Sequence, residues 1–306
     1  MSEFIFESIN TSEKKGTKKF PVNKVILKKR VGITEDAHKG MKNREISLLS
    51  REEIDSFKSD LPNGSFGENI TTKGLDSSKI RLLDYIKVNN VLLQISKIGK
   101  ECHDRCHIYK SMGDCIMPKK GYFCRVLKGG VIRSGDKAIY SPRQYKVAII
   151  TVSDRASTGV YQDKSGPQIR QKLDEYFSAI NRQCDYDSFL VPDSKIKLGI
   201  CFLKLLFNNY DLIVTTGGTG VSKRDITIEV VRRFIKKELP GISEFIRNKY
   251  GQNNKNALVS RSVVGVNGRT LICAMPGSTN AVTEYMNELI PMFDHLFNMM
   301  SDVDSH

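Results

Sequence analysis

Apolar residues in the second half of the chain fall into short runs separated by longer stretches with helical spacing. Residues 147–152, Val-Ala-Ile-Ile-Thr-Val, are continuous and β-rich, as in a parallel strand covered on both faces. Residues 212–214, Leu-Ile-Val, are too short and too β-branched for a helix and read as a second buried strand. Further strands are expected at 188–191 and 270–274. Helices are expected at 168–177, 195–208, 228–237, 243–250 and 281–299, the last with Val282, Met286, Leu289, Ile290 and Phe293 at helical spacing. Strands alternating with helices predict an α/β domain, its mainly parallel sheet carrying helices on both faces.

The first half reads differently. Its apolar runs are short, punctuated by Gly, Asn and Asp, and recur at sheet-like spacing. Residues 22–28 alternate apolar and basic positions, as an edge strand does, and Asn89-Asn90 separates two strand-like runs as a hairpin turn. One helix is expected over 50–58, where Ser50 and Glu53 form a capping box. Residues 1–19 fit either a loose tail or a first strand followed by a Lys-rich turn. The pattern predicts a mostly β barrel with one or two helices over 20–140, a linker at Ser141-Pro142-Arg143-Gln144, and the α/β domain over 145–304.

A length of 306 residues fits two domains, and 40% hydrophobic with 27% charged residues fits a globular chain. No apolar run approaches the ~20 residues that cross a bilayer, and the first twenty residues lack an apolar signal core, so a cytoplasmic protein is expected. The net charge of +14 is uneven: residues 1–144 hold 28 of the 48 Lys and Arg and 17 of the 34 Asp and Glu, a local +11. That excess suits a phosphorylated ligand or plain solubility. Nucleic acid is not expected, because no nucleic-acid motif, no Trp and no basic–aromatic alternation accompanies it.

Candidate chemistry concentrates at Gly217-Gly218-Thr219-Gly220, between the strand at 212–214 and an expected helix N-cap at Thr227. Glycines there let the backbone approach a ligand, and free N–H groups at a helix start hold phosphate. Asp225 lies just before that cap. The loop fits neither G-x-G-x-x-G nor a G-K-[ST] P-loop, so a plain tight turn is the competing reading. Ser153, Asp154 and Arg155 follow another strand, where open α/β sheets bind ligands. Asp163 suits a cation or a cap on the helix after it. The seven cysteines are an odd number, which argues against a full disulfide framework. Cys102, Cys106, Cys115 and Cys124 cluster with His103 and His107, offering a metal-stabilised scaffold, a reactive thiol or simply buried small side chains. Lys100, His103 and Arg105 would lower a neighbouring thiol's pKa.

Two sets of strings resemble known families. Asp36-Ala37-His38, Arg44 with Ser47-Leu48-Leu49, Gly67-Glu68-Asn69 and the closing Gly130 with Gly135-Asp136 resemble a MOSC domain, the β-barrel module named for molybdenum-cofactor sulfurases. SDRASTGVYQDKSGP, VPD, TTGGTGVSKRDIT, SRSVVG and MPGSTNAV, spread over about 155 residues, resemble the molybdopterin adenylyltransferases of the molybdopterin-binding family. The small departures are Ile228 and Ser278-Thr279, and neither removes a charged or phosphate-binding group. The resemblance implies a MOSC-type β-barrel followed by a three-layer α/β domain. It implies transfer of AMP from ATP to the terminal phosphate of molybdopterin, with release of pyrophosphate and with magnesium bridging the phosphates. Asp193 and Asp225 are the implied magnesium ligands. Thr216, Gly217, Gly218, Thr219, Gly220 and Arg224 would bind phosphate, and Ser153, Asp154, Arg155 and Ser262 the pterin or nucleotide. Pro276, Gly277 and Ser278 would close the site, and Cys102 is the implied barrel thiol, with Cys106 the other choice. The barrel would bind the pterin product or carry sulfur or metal. Trimers of the second domain and partnership with a molybdate-inserting enzyme are also implied. A non-catalytic molybdopterin carrier is the alternative, against which Asp193 and Asp225 speak.

Overall fold

The computed structural model describes residues 2–100 and 107–303. They form two compact units, one comprising the chain up to Arg143 together with Asp302 and Val303, the other spanning Gln144–Ser301.

The first unit contains β1 (Ser2–Thr11), β2 (Phe20–Val22), β3 (Lys24–Lys28), β4 (Gly32–Ile33), β5 (Ile46–Ser50), β6 (Ile70–Lys73), β7 (Tyr85–Val88), β8 (Val91–Ile98), β9 (Tyr122–Lys128), β10 (Gly130–Arg133) and β11 (Lys137–Ser141). Seven of them pair in the order β11-β7-β8-β9-β5-β6-β1, and β1 pairs with β11 to close the barrel. Closure removes free strand edges, and inward positions such as Phe4, Phe6, Leu48, Ile86, Leu93 and Val126 fill the interior. Within residues 1–19, which the sequence left open as tail or strand, Ser2–Thr11 is the ten-residue strand β1, central to that closure. Asn89 adopts a left-handed φ of 50° in the two-residue turn between β7 and β8, as an Asn-containing hairpin requires. The helix Arg51–Phe57 starts at Ser50, whose hydroxyl accepts from the Glu53 N–H.

The barrel also buries an ion pair. Lys19 and Asp36 are 2% and 4% exposed, and Lys19 Nζ donates to Asp36 Oδ2. Asp36 also accepts the N–H groups of Ser12 and His38, at 3.1 and 2.9 Å. Burial pushes the Asp36 carboxyl up, but hydrogen bonds from His38 and Lys19 and the Lys19 charge outweigh it and hold the group well below the usual carboxylate range.

The second unit contains β12 (Tyr145–Val152), β13 (Cys184–Val191), β14 (Leu212–Thr216), β15 (Lys237–Glu238), β16 (Val263–Asn267) and β17 (Thr270–Met275). The sheet order is β13-β12-β14-β17-β16-β15. The first three pairings are parallel, while β17 to β16 and β16 to β15 are antiparallel. Alternate β12 positions serve two layers. Ala148, Ile150 and Val152 pack with Leu198 and Phe202 of the helix Lys195–Phe207. Tyr145, two residues before Val147, packs its ring at a tilt against Phe177 of the helix Ser165–Ala179 and against Phe297.

Two expected helices differ. The helix predicted over 228–237 is Thr227–Val231, then a tight turn at Arg232–Phe234, then strand β15. Ile228, Val230 and Val231 are β-branched, and the edge of β16 offers backbone partners: the Lys236 N–H donates to Val266 O at 2.9 Å. The helix predicted over 281–299 is Thr279–Leu289 and Phe293–Met300, broken at Ile290–Met292, where Pro291 has no N–H to continue the ladder.

The buried pair generates a prediction. Asp36→Asn should destabilise the barrel by about 3–5 kcal/mol, because Lys19 is left buried without a counter-charge. Because the folded-state pKa is depressed, the carboxylate's contribution is present above the ordinary range near pH ~4 and is lost as pH falls through the folded value. Urea unfolding followed by circular dichroism, with the Lys19→Met/Asp36→Leu double variant recovering much of the loss, checks this.

Candidate active site

The carboxyl ends of β12, β13, β14 and β17 meet at one edge of the sheet, because these strands are parallel and in register. The loop 217–226 leaves β14 there. Gly217 has φ of 94°, and a Cβ on it would collide with the Val152 carbonyl oxygen at the end of β12. Gly277, after β17, approaches so closely that its own Cβ would lie 3.1 Å from Gly217 Cα. Thr216 Oγ1 donates to Pro276 O at 2.8 Å, and Gly217 N–H donates to Met275 O at 3.2 Å. The glycines therefore allow three strand ends to touch backbone to backbone.

Gly218 follows with φ of 60°. A Cβ there would lie 2.5 Å from Thr227 Oγ1 and 3.6 Å from Asp193 Oδ1. Thr227 is not the helix cap that its position predicts. The cap is Ile226, without a side-chain bond, while Thr227 N–H donates to Gly218 O at 3.1 Å. The Thr227 hydroxyl is buried and has no hydrogen-bond partner among the described residues.

A cavity of about 440 Å³ opens at this edge, lined by Val152, Ser153, Asp154, Arg155, Asp193, Gly218, Arg224 and Asp225. Its carboxylates are held by the backbone. Asp193 N–H donates to Asp154 Oδ1 at 2.9 Å, and Asp154 N–H donates to Asp193 Oδ2 at 3.1 Å, so the ends of β12 and β13 are clipped together. Asp225 Oδ2 accepts the Ser222 N–H at 2.7 Å. Each of Asp193 and Asp225 thus keeps a second carboxylate oxygen that accepts none of these bonds. Arg155 and Arg224 are exposed at the rim.

The other expected residues take supporting positions. Ser153 caps the short helix Asp154–Ser157 through the Ala156 N–H at 3.2 Å, and Ser278 caps Thr279–Leu289 through the Ala281 N–H at 3.3 Å. Asp163 caps rather than faces the cavity: it accepts the N–H groups of Ser165 and Gly166 at 3.0 and 3.2 Å and the Thr151 hydroxyl at 2.7 Å. Ser262 is 3% exposed, and its hydroxyl bonds Tyr285 at 2.6 Å and Arg247 at 3.4 Å, so it does not line the cavity. Thr219 and Gly220 belong to the loop, and their carbonyl oxygens accept from the Arg261 backbone N–H at 3.1 Å and from Arg261 Nε at 2.7 Å. Sequence reasoning chose Ser262 and passed over Arg261. No local pattern marks Arg261, since its partners are backbone carbonyls, which every residue possesses.

In the barrel, Cys102, Cys106 and His103 lie outside the described residues. Cys115 and Cys124 are buried, and burial pushes the Cys124 thiol well above its ordinary range, away from nucleophilic use. Among the described residues no three His, Cys, Asp or Glu side chains form a metal-holding group.

A closed β-barrel and a three-layer α/β unit with a glycine loop at its sheet edge define a two-module protein. Residues 148–295 match the family described as a probable molybdopterin binding domain, and residues 35–138 match the MOSC domain. A molybdopterin adenylyltransferase of Pyrococcus furiosus is 35% identical over 146 residues, covering 46% of this chain and 83% of that protein. One from Helicobacter pylori is 31% identical over 156 residues, 50% of this chain and 86% of its own length. Molybdenum cofactor biosynthesis protein B of Staphylococcus aureus is 36% identical over 162 residues, 52% of this chain and 94% of its own. The chain belongs to the molybdopterin-binding family of molybdenum cofactor biosynthesis proteins, with a MOSC domain in its first half.

The backbone contact at Gly217 can be tested against a control. Gly159 also has a left-handed φ, 76°, but a Cβ on it meets nothing within 4 Å. Gly159→Ala should cost only the ~1–2 kcal/mol of left-handed strain. Gly217→Ala should cost distinctly more in the same denaturant titration, because it adds the collision with β12.

Proposed function

We propose that this chain transfers AMP from ATP to the terminal phosphate of molybdopterin. The observation that carries the reading is one cavity in which Asp193, Asp225, Gly218 and Arg224 converge. An oxygen of the pterin phosphate attacks the α-phosphorus of ATP. The new bond is that oxygen to phosphorus, the broken bond is α-phosphorus to the bridging oxygen, and pyrophosphate leaves. The attacking oxygen is already anionic, so no protein nucleophile and no strong base are required. Family relatives named molybdopterin adenylyltransferase support the assignment.

The donor set fits magnesium. Mg²⁺ uses one or two carboxylates and completes its shell with water and substrate phosphates. Asp193 and Asp225 would hold it through the oxygens not engaged by backbone N–H groups. When bound, the ion neutralises phosphate charge during transfer. The protein's own contribution is placement. Gly218 lets the triphosphate approach the backbone, Arg224 and Arg155 offset charge at the rim, and Asp154 fixes Asp193.

The barrel's part in the proposal is to receive the pterin product or to carry sulfur or metal. A barrel cavity of about 710 Å³, lined by Lys14, Lys18, Glu13, Glu35, Phe20 and His107 among others, offers groups of both charges and an aromatic ring to such a cargo. Trimerisation of the α/β unit and hand-over to a molybdate-inserting enzyme complete the proposal.

Purified full chain with molybdopterin, ATP and magnesium should release pyrophosphate, and Asp225→Ala should lower the rate by ~100-fold or more, the scale of losing one group that stabilises transition-state charge. Molybdopterin binding without pyrophosphate release would instead make the chain a carrier.

A further inference from the structure

We propose that Arg261 is a positioning residue that pins the loop bearing Asp225 and so sets the affinity of the site for its divalent cation. The inference rests on the adenylyl-transfer reading for the identity of that cation's role.

The loop needs an external anchor. Val221 is 79% exposed, and Ser222, Lys223 and Arg224 are also exposed. Its internal bonds, Ser222 N–H to Asp225 Oδ2 at 2.7 Å and Asp225 N–H to Ser222 O at 3.0 Å, close a small turn but do not tie that turn to the domain. Arg261 does. It lies two residues before β16, on a different part of the chain. Its backbone N–H donates to Thr219 O at 3.1 Å, Nε to Gly220 O at 2.7 Å and Nη2 to Asp225 O at 3.0 Å. The carbonyls on both sides of the exposed segment therefore share one guanidinium.

The anchor is itself oriented. Nη1 donates to Glu229, on the helix Thr227–Val231 that follows the loop. Hydrogen bonding from Arg261 is the main reason that the Glu229 carboxyl lies below its ordinary range. A planar fork with separate donors can bridge Gly220, Asp225 and Glu229 at once, while a lysine ammonium on a flexible stem cannot hold all three. Arg261 does not line the 440 Å³ cavity; it faces a neighbouring one of about 290 Å³ with Asp225 and Glu229. Its influence on chemistry therefore runs through the placement of Asp225.

The test compares the parent chain with Arg261→Ala, Arg261→Lys and Glu229→Gln. Hydrogen exchange of the amides at 219–226 should be faster in Arg261→Ala and Arg261→Lys, with β14 and β17 unchanged and Glu229→Gln between them and the parent. The magnesium concentration for half-maximal pyrophosphate release should rise ~10-fold or more in both Arg261 variants, the scale seen when a group supporting a metal ligand is lost. Parent-like exchange and parent-like magnesium dependence in Arg261→Lys would overturn the proposal even if Arg261→Ala fails to fold. If the parent releases no pyrophosphate, the adenylyl-transfer reading fails. The exchange comparison then decides the pinning alone, and unchanged exchange rejects it.

Discussion

The contact between Gly217 and the end of β12 constrains everything at the sheet edge. Parallel strands in register end at similar heights, but their side chains would normally hold the following loops apart. Here the missing Cβ lets the loop after β14 rest on the Val152 carbonyl, while Gly277 closes from the side of β17. The bonds from Thr216 to Pro276 and from Gly217 to Met275 then become possible. Gly218 is carried to the cavity by the same geometry, and Thr227 is drawn back onto Gly218 O instead of capping its own helix. A side chain at position 217 would lift the loop and separate all of these groups together.

Charge explains the rest of the site. Asp154, Asp193 and Asp225 share one cavity with Arg155 and Arg224, so its carboxylates outnumber its cations. In the proposed reaction, a divalent cation between these carboxylates and a substrate phosphate would supply the missing positive charge. The reciprocal bonds between Asp154 and Asp193 reduce the freedom of both side chains before any cation arrives, so less ordering entropy remains to be lost on binding. Asp225 is held in a different way, on a loop whose own turn is small and whose attachment lies at Arg261.

Local patterns carried most of the fold. The continuous run that became β12, the Leu-Ile-Val of β14, the Ser50 cap and the Asn89 turn each express a physical preference within a few residues. The departures arise where a distant partner competes with a local preference. Residues 236–238 have helix-compatible composition but find the open edge of β16. The 281–299 periodicity survives in both halves of the last helix, and only Pro291 interrupts the hydrogen-bond ladder between them. The role of β1 was undecided because barrel closure pairs Ser2–Ile5 with Lys137–Tyr140, a separation that local patterns do not report.

The site divides in the same way. Gly217, Gly218, Asp193 and Asp225 were legible because short glycine turns and strand-end acids mark themselves. Ser262 takes a packed position that its type does not announce, because a hydroxyl looks the same in sequence whether it faces a cavity or, as here, Tyr285. Arg261 was illegible for the opposite reason: its partners are backbone carbonyls, which every residue possesses, so no sequence pattern announces them. Two neighbouring residues thus differ, Ser262 buried against Tyr285 and Arg261 bonded to the loop carbonyls.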